Sequence, residues 1–410
     1  MRYRNLAAAA AAAGLAVTVL LAPAPAAAIP GVNCAEPGEA EVPASWPRAL
    51  LRAGELGTVA DGTGARVAIL STGVDAGQPQ LRNRVLGGVD TVDGGAADAD
   101  CTGTGTQVAG VVAGRTDEGD ADVAGLAPGA RILPVRVQLD DPAGSEPDPD
   151  AMAAGIGQAV ADGADVIVVA TPVYRDDPDL EQAVAAAIDE GVVVVAAAGD
   201  LGAADEGNPT PYPAAYRDVL GVGAIDRTGR IWPDSQRGDF VDLVAPGVAV
   251  PVLQTGRGAV EVTGTAVAAG FAGAAAALLH DRRPDLGVRE SVRLLTGTAV
   301  PAPAGPAFGA GVVDPYAAIT GQLAAPERRP VPGVEVAPLP DTAAESRRRA
   351  VALAGVGVAG MLVITVGLVT AAIRRSRRQQ WRPGLAPALP VREEPLEPGP
   401  PVMLLEDRTG

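Results

Sequence analysis

The stretch that decides the fold is residues 260–279, which read VEVTGTAVAAGFAGAAAALL. Its β-rich beginning ends at Gly264-Thr265, and a long run of small apolar residues follows. The glycine permits a tight turn, and the Ala/Leu run has the composition of a helix that can be buried on all sides. We therefore predict a strand that turns abruptly into a buried helix, with Ala266 at the start of that helix.

An elbow of this kind is where nucleophilic hydrolases place the attacking side chain, because the N-terminus of the following helix favours negative charge. The residue at that point is Ala266, which has no nucleophile to offer. Any chemistry predicted for the chain has to be weighed against this alanine.

Composition limits the possible partners. The 410 residues have a formal net charge of −17, with 48% hydrophobic and 20% charged residues. This leaves ample material for a core, whereas a chain so acidic is poorly suited to neutralise the phosphates of a nucleic acid. The acidic loops 90–100 and 140–150 lack the fixed ligand spacing of a calcium site, so we interpret them as solvated surface. We predict no nucleic-acid partner, no metal and no cofactor.

The N-terminus has the layout of a secretory signal. The basic MRYRN is followed by an apolar segment, 6–21, and then by small residues ending at Ala28. This order predicts a signal peptide over 1–28, the alternative being an uncleaved anchor. Export would place Cys34 and Cys101 outside the cytosol, where an even pair of cysteines commonly forms a disulfide.

A second apolar run, 350–373, is long enough to cross a bilayer at about 1.5 Å per residue. Arginines at 374, 375, 377 and 378 follow it. This predicts a single membrane-spanning helix with the C-terminus in the cytoplasm, the alternative being a buried helix of a soluble domain. A Pro-rich spacer over 321–349 precedes the helix, and a disordered cytoplasmic tail, 374–410, follows it.

Between these segments, continuous Val/Ile runs alternate with helical patterns, which predicts a parallel sheet covered on both faces. Ligand chemistry in such folds lies at the carboxyl ends of the strands, where Ser71, Thr171, Asp200 and the 264–266 turn stand. The preceding residues, 29–63, form a proline-containing extension that we predict to be irregular. Strands are predicted at 66–70, 130–137, 166–170, 192–198, 219–225 and 241–243, and helices within 103–114, 151–162 and 180–190.

Successive blocks over 64–320 resemble the subtilisin-like serine peptidases (subtilases), and more narrowly the mycosins, the membrane-anchored subtilases of type VII secretion systems. The resemblance implies an α/β, subtilisin-like three-layer fold with a mainly parallel sheet. The blocks stand in the family's order and are RVAILSTGVD (66–75), CTGTGTQVAGVVAG (101–114), GLAPGARILPVRV (125–137), GVVVVAAAGDLG (191–202), GTAVAAG (264–270) and GAGVVDPYAAI (309–319).

The departures from the family pattern bear on function. Position by position, the family's catalytic Asp falls on Ser71, its His on Thr104 and its nucleophilic Ser on Ala266. The chemistry needs a hydroxyl to attack, an imidazole to take its proton and a carboxylate to orient the imidazole, and none of the three is present. The oxyanion-stabilising Asn falls on Asp200, where an ionised carboxylate would repel the developing negative charge.

Substitutes for the missing groups are few. The single histidine, His280, lies about 21 Å beyond Ala266 along the same predicted helix, too far to act as its base. Ser71 and Thr104 are interpreted as a turn residue and a helix N-cap. A hydrolytic pair of Asp75 and Asp200 stays open, because the sequence gives no distance between them.

Two further changes affect the cleft that the resemblance implies. Pro172 stands in the strand that would pair with a bound peptide, and it donates no N–H group. Gly270 replaces a family proline. The resemblance also implies a disulfide between Cys34 and Cys101 that would pin the extension beside the former active site.

Three functions follow as hypotheses. The first is an exported, membrane-anchored and catalytically inactive mycosin-like protein that braces or regulates a type VII secretion membrane complex. The second is a module that binds extended peptides without cutting them. The third, implied by family membership alone, is an active serine endopeptidase.

Overall fold

The computed structural model describes residues 34–40, 45–116, 123–139, 145–203, 205–303, 305–321 and 342–378. The predicted signal peptide, the spacer residues 322–341 and the tail from residue 379 lie outside the described residues. The chain divides into two compact units, Met1–Arg328 and Arg329–Gly410.

A seven-stranded parallel sheet forms the centre of the first unit, in the order β2-β3-β1-β4-β5-β6-β7. Its inner strands are runs of buried Val, Ile, Leu and Ala, as a sheet covered on both faces requires. A separate antiparallel ribbon pairs β8 with β9. The strands are β1 Arg66–Ser71, β2 Val89–Asp90, β3 Arg131–Arg136, β4 Val166–Val169, β5 Val193–Ala197, β6 Leu220–Ile225, β7 Leu243–Pro246, β8 Val250–Leu253 and β9 Ala259–Val262.

Helices cover the two faces of the sheet in separate layers. Side chains of α3 and α6 pack on one face, and those of α4 and α5 on the other. The predicted three-layer α/β fold is therefore confirmed. The helices of this unit are α1 Trp46–Leu50, α2 Ala53–Leu56, α3 Thr104–Ala113, α4 Pro149–Ala161, α5 Pro178–Asp189, α6 Thr265–Arg282, α7 Val288–Gly297 and α8 Pro315–Thr320.

The helix α6 is buried along most of its length, as its composition predicted. Small residues allow its neighbours to approach closely. A Cβ atom added at Gly270 would lie 2.6 Å from Val111 Cγ2 of α3, and one added at Gly273 would lie 2.3 Å from Val168 Cγ2 of β4. A side chain at either position would collide with a neighbouring element, so both glycines are needed for the close packing around this helix.

The N-terminal extension, residues 29–63, is not wholly irregular as predicted. Residues predicted to be irregular include α1 and α2, and the side chains of Leu51 and Leu56 belong to the main core. The strand predicted at 241–243 is also displaced, since β7 begins at Leu243. The Cys34–Cys101 disulfide is present, with the two Cα atoms 4.5 Å apart.

The second unit contains one long helix, α9 Thr342–Arg378. Its part from Ala350 to Arg378 is long and apolar enough to cross a membrane, and its apolar side chains are exposed. The predicted membrane segment 350–373 lies within it. Residues 342–349, predicted to belong to the spacer, are helical instead.

Candidate functional site

The parallel sheet brings the predicted site residues to one edge. Ser71 ends β1, Thr171 follows β4 and Asp200 follows β5, and β1, β4 and β5 are successive neighbours in the sheet. Thr104 begins α3, and Ala266 lies in the first turn of α6, which packs against α3. The sheet order and this packing therefore gather the positions that the sequence singled out.

Ser71 has no chemical partner at this edge. Its side chain is fully buried, and its Oγ has no hydrogen-bond partner among the described residues. A Cβ atom added at Gly105, in the first turn of α3, would lie 3.3 Å from Ser71 Cβ. Ser71 is thus adjacent to the start of α3, yet no described imidazole or carboxylate binds its hydroxyl.

The start of α3 is organised by Asp100, which the sequence did not single out. The buried Asp100 carboxylate accepts hydrogen bonds from Thr106 N (2.8 Å), Thr106 Oγ1 (2.7 Å), Gly103 N (2.8 Å) and Thr72 Oγ1 (2.9 Å). The N-cap residue is Gly103, with φ +97°. The prediction that Thr104 caps the helix is therefore wrong, because the carboxylate of Asp100 occupies that role from outside.

The side chain of Asp200 is hydrogen-bonded to Thr265, the first residue of α6. Its Oδ1 accepts hydrogen bonds from Thr265 N (2.9 Å) and Thr265 Oγ1 (2.6 Å), and Gly199 N donates to Thr265 Oγ1 (3.0 Å). The backbone of Gly264 is extended, so the glycine is not required by its φ angle. A Cβ atom there would lie 3.2 Å from Asp200 Oδ2, so the absence of a side chain makes room for the carboxylate.

The protonation of Asp200 differs from the expectation of an ordinary ionised carboxylate. The residue as a whole is exposed, yet burial of its carboxyl group raises the pKa of that group. Hydrogen bonds from Thr265 lower the pKa and the charge of Asp234 raises it, with a net rise. Asp200 therefore holds its proton to a higher pH than an ordinary aspartate.

Tyr174 is a second residue of this edge that sequence reasoning missed. A Cβ atom added at Gly199 would lie 2.9 Å from the Tyr174 hydroxyl oxygen. Burial and then the charge of Asp200 raise the pKa of the phenol, which keeps it protonated. Its backbone N–H donates to Glu146 Oε1 at 2.7 Å. Its position five residues after the end of β4 was the only signal in the sequence.

The segment after β4 retains the proline that weakens peptide pairing. Pro172 is buried and has no N–H group, and Thr171 is half-buried. Val173 exchanges backbone hydrogen bonds with Tyr212, at 2.9 Å and 2.8 Å. At Val173 the backbone donor and acceptor are therefore already used within the fold.

His280 lies at the opposite edge of the sheet. Its Nε2 is 3.4 Å from Asp165 Oδ1, and Asp165 immediately precedes the amino end of β4. The carboxyl ends of the strands, where Ser71 and Asp200 stand, are at the other side. The structure agrees with the prediction that His280 is no base for this site.

Asp75 and Asp200 belong to different turns. Asp75 Oδ2 accepts from Gly256 N (2.6 Å) and Thr255 Oγ1 (3.2 Å), and its Oδ1 accepts from Gly77 N (2.8 Å). The two carboxylates have no hydrogen-bond partner in common among the described residues. The hydrolytic pair that the sequence left open receives no support from these contacts.

Several carboxylates elsewhere in the described chain have structural partners. In the predicted acidic loop 90–100, Asp90 pairs with Arg136 at 2.8 Å and Asp100 caps α3. Oxygens of Asp150, Asp177 and Asp179 approach within 4.8 Å of one another beside the starts of α4 and α5. Helix N-termini favour such residues without a metal, so the cluster has an ordinary explanation.

The sequence model of the subtilase family matches residues 62–321. This range nearly coincides with the predicted domain, 64–320. Among curated proteins, the chain is 33% identical to mycosin-1 of Mycobacterium tuberculosis over 397 residues, which cover 82% of this chain and 86% of that protein. It is 35% identical over 263 residues to a thermophilic serine proteinase of a Bacillus species, and this match spans 62% of the proteinase's length.

Solved structures are also similar to this chain. The crystal structure of MycP1 with its N-terminal propeptide removed has a TM-score of 0.59 and 30% identity to this chain, covering 68% of it and 97% of that structure. A MycP3 protease, described as from the type VII (ESX-3) secretion system, has a TM-score of 0.57 and 29% identity, covering 71% of this chain and 90% of that structure.

Proposed function

Because the chain belongs to the subtilase family, we propose that it is a membrane-anchored, mycosin-like subtilase without peptidase activity that acts as a structural or regulatory component of a type VII secretion membrane complex. The observation behind this proposal is the site itself. The subtilase fold is present, while Ser71, Thr104 and Ala266 stand where the family pattern, matched block by block, has its Asp, His and Ser.

The hydroxyl group of Thr265, next to Ala266, does not replace the missing nucleophile. Thr265 precedes it and donates to Asp200 at 2.6 Å, but its side chain is 1% exposed and its oxygen also accepts from Gly199 N. A nucleophile must reach a bound carbonyl carbon, and a buried threonine in two fixed hydrogen bonds does not.

Asp200 also argues against stabilisation of an oxyanion. An oxyanion site needs preorganised donors aimed at the developing charge. Asp200 Oδ1 instead accepts the Thr265 N–H group at the start of α6 and brings a carboxylate to the position from which an amide would donate. The arrangement favours a stable resting cleft over hydrolysis.

The proposed role in a membrane complex rests on the anchor and on the relatives. The apolar part of α9 has exposed side chains, which a bilayer or neighbouring membrane helices would cover. A MycP1 structure is described as an essential component of the type VII (ESX-1) secretion system. The transfer of that role to this chain is our inference.

Purification of the tagged full-length protein from its native membrane in mild detergent, followed by mass spectrometry, tests this role. We expect type VII membrane components to co-purify. The matched control replaces α9 with an unrelated membrane-spanning helix and should recover fewer of them. Recovery of the protein alone, together with normal secretion after its deletion, would contradict the proposal.

A second candidate function is peptide binding without cleavage. It is favoured by Thr104 and Ala266, which are half-buried and so leave their part of the cleft accessible. Pro172 and Asp200 argue against the tight pairing of an active subtilase. Titration of extended peptides onto the purified ectodomain separates the candidates, since no binding up to millimolar peptide would exclude this function.

A further inference from the structure

Residues 34–40 form a short strap along the edge of β9. Gly38 N donates to Arg257 O (2.9 Å), Glu39 N donates to Ala259 O (2.8 Å), and Ala259 N donates back to Glu39 O (2.8 Å). The strap thereby forms a single antiparallel bridge, between Glu39 and Ala259, at the edge of the β8–β9 ribbon. At its other end, Cys34 is joined to Cys101.

We propose that the strap is a redox-released cover: reduction of the Cys34–Cys101 bond detaches residues 34–40 from β9 and leaves the edge of this strand unpaired. The proposal does not depend on the function inferred above. It rests on how little, apart from the disulfide, holds the described part of the strap.

The side chains of the strap contribute little burial. Cys34, Glu36, Pro37, Glu39 and Ala40 are exposed, and the other two residues of the segment are only half-buried. The hydrophobic effect, which is proportional to the apolar area removed from water, therefore stabilises the attached strap weakly.

The hydrogen bonds alone do not balance the ordering of the segment. Besides the two bonds to Ala259 of β9 and the one to Arg257 just before it, Ala35 N donates to Cys101 O at 2.8 Å. Each bond replaces bonds to water and returns little net free energy, whereas fixing each residue of the backbone costs conformational entropy. The disulfide removes much of this cost, because in the folded oxidised chain it keeps Cys34 at Cys101 even when the bonds to Ala259 break.

The bond is placed where a reductant can reach it. Cys34 is exposed, and Cys101 is half-buried. A thiolate of a dithiol reductant would attack one sulfur, and its second thiol would resolve the mixed disulfide. The products are two cysteine thiols and the oxidised reductant, so two electrons and two protons pass from the dithiol to the protein.

Release would leave the ribbon itself in place. The tip of the β8–β9 hairpin has its own anchors, because Gly256 N donates to Asp75 Oδ2 (2.6 Å) and Thr255 Oγ1 donates to Asp100 O (2.7 Å). The consequence is a formed but unpaired edge, with the N–H and C=O groups of Ala259 available. Extended segments of other chains add to edges of this kind.

Residue-resolved amide hydrogen exchange of the ectodomain tests the proposal. The reporter is Ala259 N–H, which points at the strap, and the internal control is Gln254 N–H, which donates to Gly258 O within the hairpin at 3.0 Å. On addition of dithiothreitol, or in the Cys34→Ser/Cys101→Ser variant, we expect exchange at Ala259 to accelerate on the order of 10-fold or more. Exchange at Gln254 should not change.

Two further variants separate release of the strap from damage to the fold. A Cβ atom at Gly38 would lie 2.4 Å from Ala259 O, so Gly38→Val should expose the Ala259 amide with the disulfide intact. Glu36→Ala changes an exposed side chain and should leave both amides unchanged. Equal protection of Ala259 in the oxidised protein and in the cysteine-free variant, with Gln254 protected in both, would overturn the proposal.

Discussion

Asp200 differs from the family's asparagine by one atom of its side chain, yet the two residues act in opposite ways. An amide donates to an oxyanion, whereas the carboxylate of Asp200 accepts from Thr265 and occupies the favourable end of the α6 dipole. The substitution therefore places a hydrogen-bond acceptor where the family pattern has a donor. This argument for the proposed lack of hydrolysis is separate from the one that rests on the alanine at position 266.

Ser71 provides a test of the idea that its position no longer has a chemical task. Its buried hydroxyl has no described partner, so Ser71→Ala should leave the free energy of unfolding unchanged or raise it by about 1 kcal/mol. The control is Ser235→Ala, because the buried Ser235 Oγ accepts from Ala224 N at 3.1 Å. That variant should lose about 1–2 kcal/mol. Denaturant unfolding of both variants measures these free energies, and a clear loss of stability in Ser71→Ala would contradict the prediction.

The raised pKa of Asp242 predicts that the free energy of unfolding depends on pH. Burial raises its pKa to about 6, against a hydrogen bond from Gly221 N that lowers it. Between its ordinary pKa and 6, the unfolded chain loses this proton first, so this group's contribution to stability falls as pH rises. Asp242→Asn keeps an acceptor for Gly221 and abolishes the fall, giving an advantage over wild type that grows from about pH 4 to pH 6 and reaches about 1–3 kcal/mol.

Unfolding curves at a series of pH values check this prediction. The exposed Asp285→Asn is the charge-matched control and should show no such growing advantage. An advantage of Asp242→Asn that stayed constant across the series would mean that the carboxyl titrates alike in the folded and unfolded chains.

At this scale the sequence predicts some residues and misses others for a physical reason. Ser71, Thr104 and Ala266 could be singled out because each lies inside a local block of recognisable pattern. Asp100 and Tyr174 were missed because their roles depend on contacts made across the fold, at the start of α3 and beside Gly199. No local pattern encodes those contacts.

Among the elements, α3 and α6 determine the shape of the candidate site, because Thr104 begins α3 and Ala266 lies in the first turn of α6. Their separation is set by small residues, above all Gly270 against Val111. The family's proline at this position is replaced by a residue that permits a closer approach. Substitution of Gly270 by alanine therefore tests how closely α3 and α6 pack.

We expect Gly270→Ala to destabilise the domain by about 1–3 kcal/mol, because the new Cβ atom would lie 2.6 Å from Val111 Cγ2 and 3.2 Å from Val108 Cγ1. The matched control is Gly157→Ala in α4, where an added Cβ meets nothing within 4 Å. There the better helix propensity of alanine should stabilise by about 0.5–1 kcal/mol. Thermal unfolding of both variants checks the pair; equal melting temperatures would show that the close contact relaxes without cost.

The elements themselves were predictable where burial is continuous. The Val-rich runs of β4 and β5 are strands because both faces are covered, and their bounds differ from the prediction by one residue at each displaced end. The extension was misjudged, since α1 and α2 are short and gain their stability from Leu51 and Leu56 in the core. Short helices of this kind depend on tertiary packing, which periodicity does not reveal.

At the scale of the whole molecule, a subtilase domain and an apolar helix form separate compact units. A chain that ends at Arg328 should therefore fold without α9 and remain in the soluble fraction after export. Its melting temperature should equal that of the same domain within the full-length chain. The full-length chain should stay with the membrane, because side chains such as Val351 and Leu353 are 73% exposed. Aggregation of the shortened chain, or its retention in the membrane, would show that the domain needs the helix.

We infer that a subtilase fold is retained here without peptidase chemistry, and the first test of this inference is covalent labelling with a fluorophosphonate probe. The purified wild-type ectodomain is incubated with the probe beside an active mycosin, and labelled peptides are identified by mass spectrometry. The account predicts labelling of the active mycosin at its nucleophilic serine and no labelled serine in this protein, because Ala266 stands at that position. A serine of this chain that became labelled only while the protein is folded would contradict it.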